Sequence, residues 1–399
     1  MRFREKIASL CAFDVKNDPI LKGFSKMFGD FGSLSAGSNS QYYSAKSLQG
    51  YSEVVLQLLL SGKSLAQYFH DMLVFSDSPL IAECVKEPTE LRMKAVQHDL
   101  DVLAELCIPS DKLRKKLIGS YGDEAKNLPD YECGKFDYTA EYFIDYAKRI
   151  GTGLFARYRA FSFDGELHPI ENTDKIRLSD LKNYEEQRRQ IMDNTLCFLN
   201  DKPAQNVLLY GDRGTGKSST VKALLNEYPE LRMVEVSKND IALMPKLFRK
   251  LSTVPLHFIV TIDDLSFSEN DDRFGILKAV LEGSLSRRPE NILIYATTNR
   301  RKIIRETAAD REISGADAID ESMSLSDRFG LFVTFMRPDR RVYLDIVFKL
   351  AEDAGIDVSE EKLTAAAERF ALNRGGRSPR TARQFVDWLE GRIALDLEY

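Results

Sequence analysis

The sequence predicts a doubly wound α/β domain with a parallel five-stranded sheet, preceded by an all-helical domain and followed by a small helical lid. Three observations predict this. Helical periodicity dominates residues 1–165, short apolar runs alternate with helical stretches over residues 166–337, and strand-like runs stop in residues 338–399. Apolar strands separated by helices are typical of a parallel sheet that is covered on both faces.

The five predicted strands are the apolar runs of the middle domain. They are VLLY (207–210), MVEV (233–236), HFIVTI (257–262), ILIYAT (292–297) and LFVTF (331–335). Stretches with helical patterns, such as Thr220 to Tyr228 and Phe274 to Leu285, lie between these runs. This alternation predicts crossover helices between parallel strands.

The two flanking regions both have helical patterns. In the first, Tyr51 to Phe75 and Pro79 to Cys107 carry apolar residues at helical spacing, while Gly29 to Ser40 has the composition of a loop or linker. In the last, three amphipathic helices are predicted near residues 340–354, 360–372 and 379–397. Ser378 followed by Pro379 is a favourable start for the third helix, because serine caps helices and proline suits their first turn.

Composition excludes several classes of protein. Hydrophobic residues make up 43% and charged residues 29% of the 399 residues, as in ordinary globular proteins. The sequence has neither an apolar run of about 18 residues nor the apolar core of a secretory signal, so we expect no membrane association. Five scattered cysteines without a CxxC pair favour a reducing compartment, with the cytoplasm as the expected location. The net charge of −5 disfavours a constitutive nucleic-acid binder.

The strongest motif is GDRGTGKS at residues 211–218, which matches GxxxxGK[ST] in full. It directly follows the strand NVLLY and directly precedes a predicted helix, so its backbone N–H groups and the helix N-terminus can hold phosphates. Lys217 would neutralise the β- and γ-phosphates, and Ser218 would bind Mg²⁺. The predicted nucleotide contacts are Tyr184, Gly211, Asp212, Arg213, Gly214, Thr215, Gly216, Lys217, Ser218 and Ser219.

Two acids end the strand HFIVTI and are the candidates for metal binding and catalysis. Asp263 is placed to hold Mg²⁺ through its water shell, and Asp264 could orient or deprotonate an attacking water. The alternative is that both acids only cap a loop. Aspartate is one methylene shorter than glutamate, so at Asp264 the water must lie closer or a bridging group must help. Glu269 is a distant alternative for that role.

Together with these motifs, several blocks resemble the AAA+ ATPases and, more narrowly, a bacterial ATP-binding family classified as domain of unknown function 815. The resemblance covers about residues 165–399. The blocks are DLKNYEEQ, NVLLYGDRGTGKSS, EVSKND, IDDLSF, IYATTNRR, SLSDRFGLF and GGRSPRTARQF. The resemblance implies a P-loop fold with a C-terminal lid and ATP with Mg²⁺ as ligands.

The resemblance also implies further site residues. Asn299 takes the position of sensor 1, with a simple turn asparagine as the alternative. Arg328 takes the position of the arginine finger, which acts on a neighbouring subunit and implies a homo-oligomer; an internal ion pair, for example with Asp327, is the alternative. Arg380 takes the position of sensor 2 in the lid, with Arg383 as the competing residue; the alternative is that either arginine only belongs to a solvated face.

The segment from Asp180 to Gln187 matches the stretch that commonly surrounds adenine. Asn183 stands where the family usually has glycine, and asparagine tolerates a positive φ better than most residues. Tyr184 would pack on the base or would belong to the core. Further along the chain, Ile303 to Met323 is rich in charged and small residues, which predicts an insertion or loop.

Together these observations favour an ATPase that uses ATP hydrolysis to change conformation and remodel an unknown partner. The helical domain over residues 1–165 would bind that protein partner. Two alternatives remain: a nucleotide-dependent switch or scaffold with little hydrolysis, suggested by the short side chain of Asp264, and a loader acting on nucleic acid, which the acidic balance disfavours.

Overall fold

The computed structural model describes residues 3–29, 40–121, 126–268, 272–282, 289–299, 304–305 and 328–398. Glu269, nearly all of the linker predicted from Gly29 to Ser40, and the insertion predicted from Ile303 to Met323, apart from residues 304 and 305, lie outside these ranges. The chain forms two compact units, Met1–Arg157 and Tyr158–Tyr399. This division precedes the boundary expected at residue 165, because the strand that begins at Ala160 already belongs to the sheet.

The regular secondary structure in the described residues of the first unit is all helical, and the unit has its own apolar core, as the sequence predicts. Its helices are α1 (Phe3–Ser9), α2 (Pro19–Gly29), α3 (Ser40–Ser61), α4 (Leu65–Val74), α5 (Pro79–Lys86), α6 (Glu90–Leu106), α7 (Ser110–Tyr121), α8 (Ala140–Ile150) and α9 (Gly153–Arg157). The apolar pattern from Tyr51 to Phe75 is split between α3 and α4. Gly62, with φ of 65°, separates them, and Ser64 caps α4 in a capping box with Gln67.

The second unit contains the sheet and the helices that cover it. Its strands are β1 (Ala160–Phe163), β2 (Leu167–Pro169), β3 (Val207–Gly211), β4 (Leu231–Val236), β5 (His257–Ile262), β6 (Phe267–Ser268), β7 (Ile292–Thr298), β8 (Ile304–Arg305) and β9 (Leu331–Phe335). Its helices before the lid are α10 (Glu185–Leu199), α11 (Lys217–Glu227), α12 (Met244–Leu251) and α13 (Asp272–Glu282).

The main sheet has seven strands in the order β2-β1-β4-β5-β7-β3-β9 within the described part of the chain, two more than the sequence predicts. The five predicted strands form its parallel centre and one edge. The additional strands are β1, parallel to β4, and β2, antiparallel to β1. These runs of four and three residues are too short to show a clear alternation, so the sequence pattern misses them.

The order of the strands decides which loops meet. Strand β7 is buried along its whole length and lies between β3 and β5. Because β3, β5 and β7 are parallel, their carboxyl ends share one edge of the sheet. The segments that follow them, which begin at Asp212, Asp263 and Asn299, therefore lie side by side.

The last part of the chain is the lid, formed by α14 (Arg340–Asp353), α15 (Glu360–Asn373) and α16 (Pro379–Ala394). These helices bury a cluster of their own that includes Tyr343, Val347 and Phe385. The predicted start of α16 is confirmed, because the Thr381 backbone N–H donates to Ser378 Oγ at 3.1 Å and proline occupies the first turn. Among all helices in the described ranges, none has the length and apolar character that a bilayer crossing requires.

Candidate functional site

The predicted phosphate-binding turn, residues 211–218, connects the end of β3 to the start of α11. Its three glycines, Gly211, Gly214 and Gly216, have φ values of 143°, 78° and 95°, which residues with a Cβ rarely adopt. A Cβ on Gly211 would also lie 1.9 Å from the carbonyl oxygen of Phe335 on the neighbouring strand. Both the backbone conformation and the space therefore require glycine at the start of the turn.

A cavity of about 500 Å³ opens beside this turn, a volume suited to a small-molecule ligand. Most of the residues predicted from the sequence line it. They are Tyr184, Arg213, Gly214, Thr215, Gly216, Lys217, Ser218, Ser219, Asp263, Asp264, Asn299 and Arg380. The cavity thus joins the predicted phosphate, metal and lid residues in one place.

Lys217 lies at the centre of a hydrogen-bond network. Its side chain is buried, and Nζ donates to the carbonyl oxygens of Gly211 and Asp212 at 2.8 Å each and to Asn299 Oδ1 at 3.0 Å. Burial lowers the pKa of Lys217, against the opposing effect of nearby carboxylates that include Asp263. Because this cation is poorly hydrated, an incoming phosphate would compensate its lost hydration.

Ser218 and Asp263 form the candidate metal site. Ser218 Oγ donates to Asp263 Oδ1 at 2.6 Å, so both predicted ligands face the same point. Hard oxygen donors of this kind suit Mg²⁺, which usually takes only one or two protein ligands and fills its octahedron with water and phosphate oxygens. Among the described residues, no group of three His, Cys, Asp or Glu side chains could hold a metal ion.

Asp264 and Asn299 form a second pair beside the metal site. Asp264 has φ of 51°, and its Oδ1 accepts a hydrogen bond from Asn299 Nδ2 at 2.7 Å. The other end of the same amide accepts from Lys217. Asn299 therefore bridges the cation and the acid, and it is a group within reach that could compensate for the short side chain of Asp264.

The turn before α10 also lines the cavity. Asn183 and Tyr184 have φ of 67° and 63°, so asparagine does adopt the conformation for which the family uses glycine. The Tyr184 ring lies 5.2 Å from that of Phe335, and its hydroxyl donates to the carbonyl oxygen of Met336 at 2.5 Å. Burial raises the pKa of Tyr184 to about 12. Tyr184 therefore both lines the cavity and packs on the core.

The lid lines the cavity with the first turns of α16. The Arg380 backbone N–H donates to the carbonyl oxygen of Gly214 at 3.1 Å, and a Cβ on Gly214 would lie 3.2 Å from Arg380 Cβ. Arg383 uses its guanidinium to donate to the carbonyl oxygen of Asp180 at 3.1 Å. Within the described part of the chain, Arg380 is exposed and its guanidinium makes no hydrogen bond, so this cation, like that of Arg213, remains available to a ligand.

Arg337, at the junction of β9 and the lid, makes contacts that sequence reasoning missed. Its backbone N–H donates to Asp212 Oδ2 at 3.0 Å. Its guanidinium donates to the carbonyl oxygens of Arg377 at 3.1 Å and Gly375 at 2.6 Å. Arg337 thus connects the phosphate-binding turn to the loop before α16. No motif marks it, because its partners are mainly backbone atoms.

Arg328 does not join the other predicted residues. It precedes β9, whose first residue, Leu331, pairs with Val207 at the amino end of β3, whereas Phe335 pairs with Gly211 at the carboxyl end. Arg328 therefore lies at the edge of the sheet opposite to the cavity of its own chain. This position is compatible with an action on a neighbouring copy and also with an internal structural role.

A mostly parallel sheet with a glycine-rich turn after β3, paired acids after β5, an asparagine after β7 and a three-helix lid defines a P-loop protein of the AAA+ kind. A family model described as "Protein of unknown function (DUF815)" matches residues 154–393. The chain belongs to this family.

Two further proteins are similar over part of their length. The magnesium-chelatase 38 kDa subunit of Rhodobacter capsulatus is 34% identical over 90 residues, which are 21% of this chain and 26% of that subunit. The Holliday junction branch migration motor RuvB of Thermotoga maritima is 14% identical, with a TM-score of 0.39 over 55% of this chain and 66% of that one. Both matches span less than two thirds of the relative's own length.

Proposed function

We propose that this protein binds ATP with Mg²⁺ in the cavity beside the phosphate-binding turn and hydrolyses it. The observation that carries the proposal is an arrangement of side chains at the carboxyl edge of the sheet, in which Ser218 bonds to Asp263 and a chain of hydrogen bonds joins Lys217, Asn299 and Asp264. It contains a buried cation for phosphate, two oxygen donors for a metal, and an acid beside an amide.

Each group in the network has a role in water attack on a γ-phosphate. Lys217 and the available guanidinium of Arg380 would stabilise the charge that develops on the phosphate oxygens. Asp264, held by Asn299, would orient or deprotonate the attacking water. A bound Mg²⁺ would neutralise β- and γ-phosphate charge, with Ser218 and Asp263 as its protein-side oxygen donors.

We propose further that hydrolysis moves the lid and that this motion remodels a protein partner held by the helical first unit. The lid contacts the phosphate-binding turn directly, through Arg380 N–H to Gly214 and through Arg337 to Asp212. A conformational change of the turn on phosphate binding or release would therefore change the position of the lid. Arg328 would complete the site of a neighbouring copy, so that the active form is a homo-oligomer.

Binding and turnover of ATP test the proposal directly. A fluorescent ATP analogue should bind the purified chain in the presence of Mg²⁺, and the protein should release phosphate from ATP. Replacing Lys217 by alanine should weaken binding by about 100-fold or more, because it removes a buried, desolvated charge partner. Lys222→Ala is a matched control, since Lys222 is an exposed lysine on the same helix.

Two results would overturn the proposal. The first is the absence of ATP binding by the wild-type chain at any Mg²⁺ concentration. The second is equal binding by the Lys217→Ala and wild-type proteins. Binding without phosphate release across a wide range of protein concentrations would reject only the hydrolytic part.

One observation favours a second candidate function, a nucleotide-dependent switch with little hydrolysis. The carboxylate of Asp264 is short and already accepts a hydrogen bond from Asn299. An acid that is held in this way can report the presence of a γ-phosphate without activating water. In that case Asp264→Asn would leave the phosphate release rate unchanged, while ATP would still alter the assembly state measured by light scattering.

A further inference from the structure

Thr297 is a buried polar residue of the central strand to which neither the motifs nor the proposed function assigns a role. It lies on β7, pairs with Leu209 of β3 and is 6% exposed. On the other side of β7, Ala296 pairs with Ile262, so Thr297 lies beside Asp263, the first residue after β5. The sheet register therefore places this threonine between the phosphate-binding strand and the acid-bearing strand.

The Thr297 side chain and backbone hold three consecutive residues of the acid segment. Its hydroxyl donates to Asp263 Oδ1 and accepts from the backbone N–H of Asp264 at 3.1 Å, and its carbonyl oxygen accepts from the backbone N–H of Leu265 at 2.7 Å. The single proton of a hydroxyl can be donated only once. The contact with Asp263 therefore uses the donor, and the contact with Asp264 uses a lone pair.

The bond to Asp263 decides which of its oxygens remains available. Ser218 Oγ and Thr297 Oγ1 both donate to Oδ1. With two donors on Oδ1, the carboxylate cannot rotate freely, and its second oxygen, which accepts no hydrogen bond from the described residues, is left for the water shell of a metal ion. Groups that orient a metal ligand from behind commonly change metal affinity by about 10–100-fold when they are removed.

The bonds to Asp264 and Leu265 support an unusual backbone conformation. Asp264 has φ of 51°, and residues other than glycine adopt such values at a cost unless their surroundings hold them. Thr297 accepts hydrogen bonds from the N–H groups of Asp264 and Leu265, which belong to the two peptide units that flank the Asp264 Cα. In this conformation the Asp264 carboxylate reaches Asn299 Nδ2.

We propose that Thr297 is a positioning residue, whose one hydroxyl aims the Asp263 carboxylate at the metal ion and holds Asp264 in the turn that directs its carboxylate to Asn299. This inference rests on the proposed binding of Mg²⁺ and ATP. It predicts that the Thr297 hydroxyl affects the Mg²⁺ concentration at which ATP binds. Thr297 does not contact phosphate in this role, so its hydroxyl affects nucleotide binding through the metal site.

The test is a Mg²⁺ titration of ATP binding by the full chain, with Thr297→Val and Thr297→Ser as the pair of variants. Valine has nearly the shape of threonine without the hydroxyl, whereas serine retains the hydroxyl. The Mg²⁺ concentration for half-maximal binding should rise about tenfold in Thr297→Val and stay within about twofold in Thr297→Ser. Binding of the fluorescent nucleotide in EDTA should be equal in all three proteins.

Two outcomes of this titration would overturn the inference: a Thr297→Val curve that coincides with wild type, or a Thr297→Ser curve shifted as far as that of Thr297→Val. The second result would show that packing at position 297, rather than the hydroxyl, sets the Mg²⁺ dependence. Thr297→Ala, measured in the same way, ensures that the outcome does not depend on how valine fits. Melting temperatures of each variant show whether it is folded.

The Lys217→Ala protein, titrated in parallel, separates the two proposals. If wild type binds no ATP, the proposed function fails and this inference fails with it. If wild type binds ATP, Lys217→Ala does not, and Thr297→Val titrates like wild type, the proposed function stands and only the role of Thr297 is rejected.

Discussion

The cavity is bounded by two regions that are held together by different kinds of bond. At the sheet edge, side chains bond to side chains, as between Ser218 and Asp263 or between Asn299 and Asp264. At the lid, nearly every contact ends on a backbone atom, as between the Arg380 N–H and Gly214. Side-chain pairs require particular residue types, whereas backbone contacts require only a particular chain path. The first region therefore leaves a sequence motif and the second largely does not.

The two regions also differ in how firmly they are fixed. The sheet-edge groups follow buried parallel strands, of which β7 is buried along its whole length. The lid has its own buried cluster and joins the sheet unit through the segment from Met336 to Pro338. Moving the lid would break a few hydrogen bonds, whereas moving the acids would disrupt the sheet. We therefore expect substitutions at the edge to change chemistry and substitutions at the lid to change coupling.

The largest expected effect separates catalysis from binding at the sheet edge. Asp264→Asn keeps the shape of the side chain but removes the base, so phosphate release should fall by about 10²–10⁴-fold while ATP binding changes little. Phosphate release and analogue binding, measured on the same preparation, check this. A comparable loss in both measurements would show that Asp264 contributes mainly to nucleotide binding and would remove the distinction between the two acids.

A smaller effect is expected at the lid. Arg337→Ala removes two hydrogen bonds to the carbonyl oxygens of Arg377 and Gly375, so the lid should open more often and ATP affinity should fall about five- to tenfold. Faster amide hydrogen exchange in residues 375–378 should accompany this loss. Arg341→Ala is the control, because Arg341 is an exposed arginine in the first turn of α14. Equal effects of both variants would attribute the change to net charge.

The pH dependence of binding should report the buried cation. Because burial lowers the pKa of Lys217, the free protein loses this positive charge at a lower pH than an ordinary lysine would. A bound phosphate raises that pKa again, so ATP affinity should fall severalfold as the pH rises through the lowered value, with proton uptake on binding. Titration calorimetry in buffers of different ionisation enthalpy measures this uptake. A Lys217→Arg protein with the same alkaline decline would assign it to another group.

The smallest effect is expected at Tyr184, which lines the cavity and also packs against the core. Tyr184→Phe removes the hydrogen bond to the carbonyl oxygen of Met336 but keeps the ring beside Phe335. The free energy of unfolding should fall by about 1 kcal/mol, and ATP affinity should stay within about twofold. Chemical denaturation and analogue binding test the two parts separately. A large loss of affinity would show that the hydroxyl, rather than the ring, faces the ligand.

Periodicity and motifs predict the parallel centre of the sheet, the three lid helices and the capped start of α16, because these depend on local patterns in the sequence. The edge strands β1 and β2 are missed since runs of four and three residues carry too little pattern. Thr297 could have been found, because alternation along β7 puts it on the same side of the strand as Asn299. Arg337 could not, because its partners become neighbours only after the lid folds back on the turn.

The direction of the parallel strands limits how copies of this chain could combine. The cavity opens at the carboxyl ends of the strands, and Arg328 lies at their amino ends. If one copy supplies this arginine to the next, unlike ends must meet at each contact. When a contact between unlike surfaces repeats head to tail, the assembly either closes into a ring or continues as a spiral. A two-fold pair could make the same contacts only with its two sheets running in opposite directions.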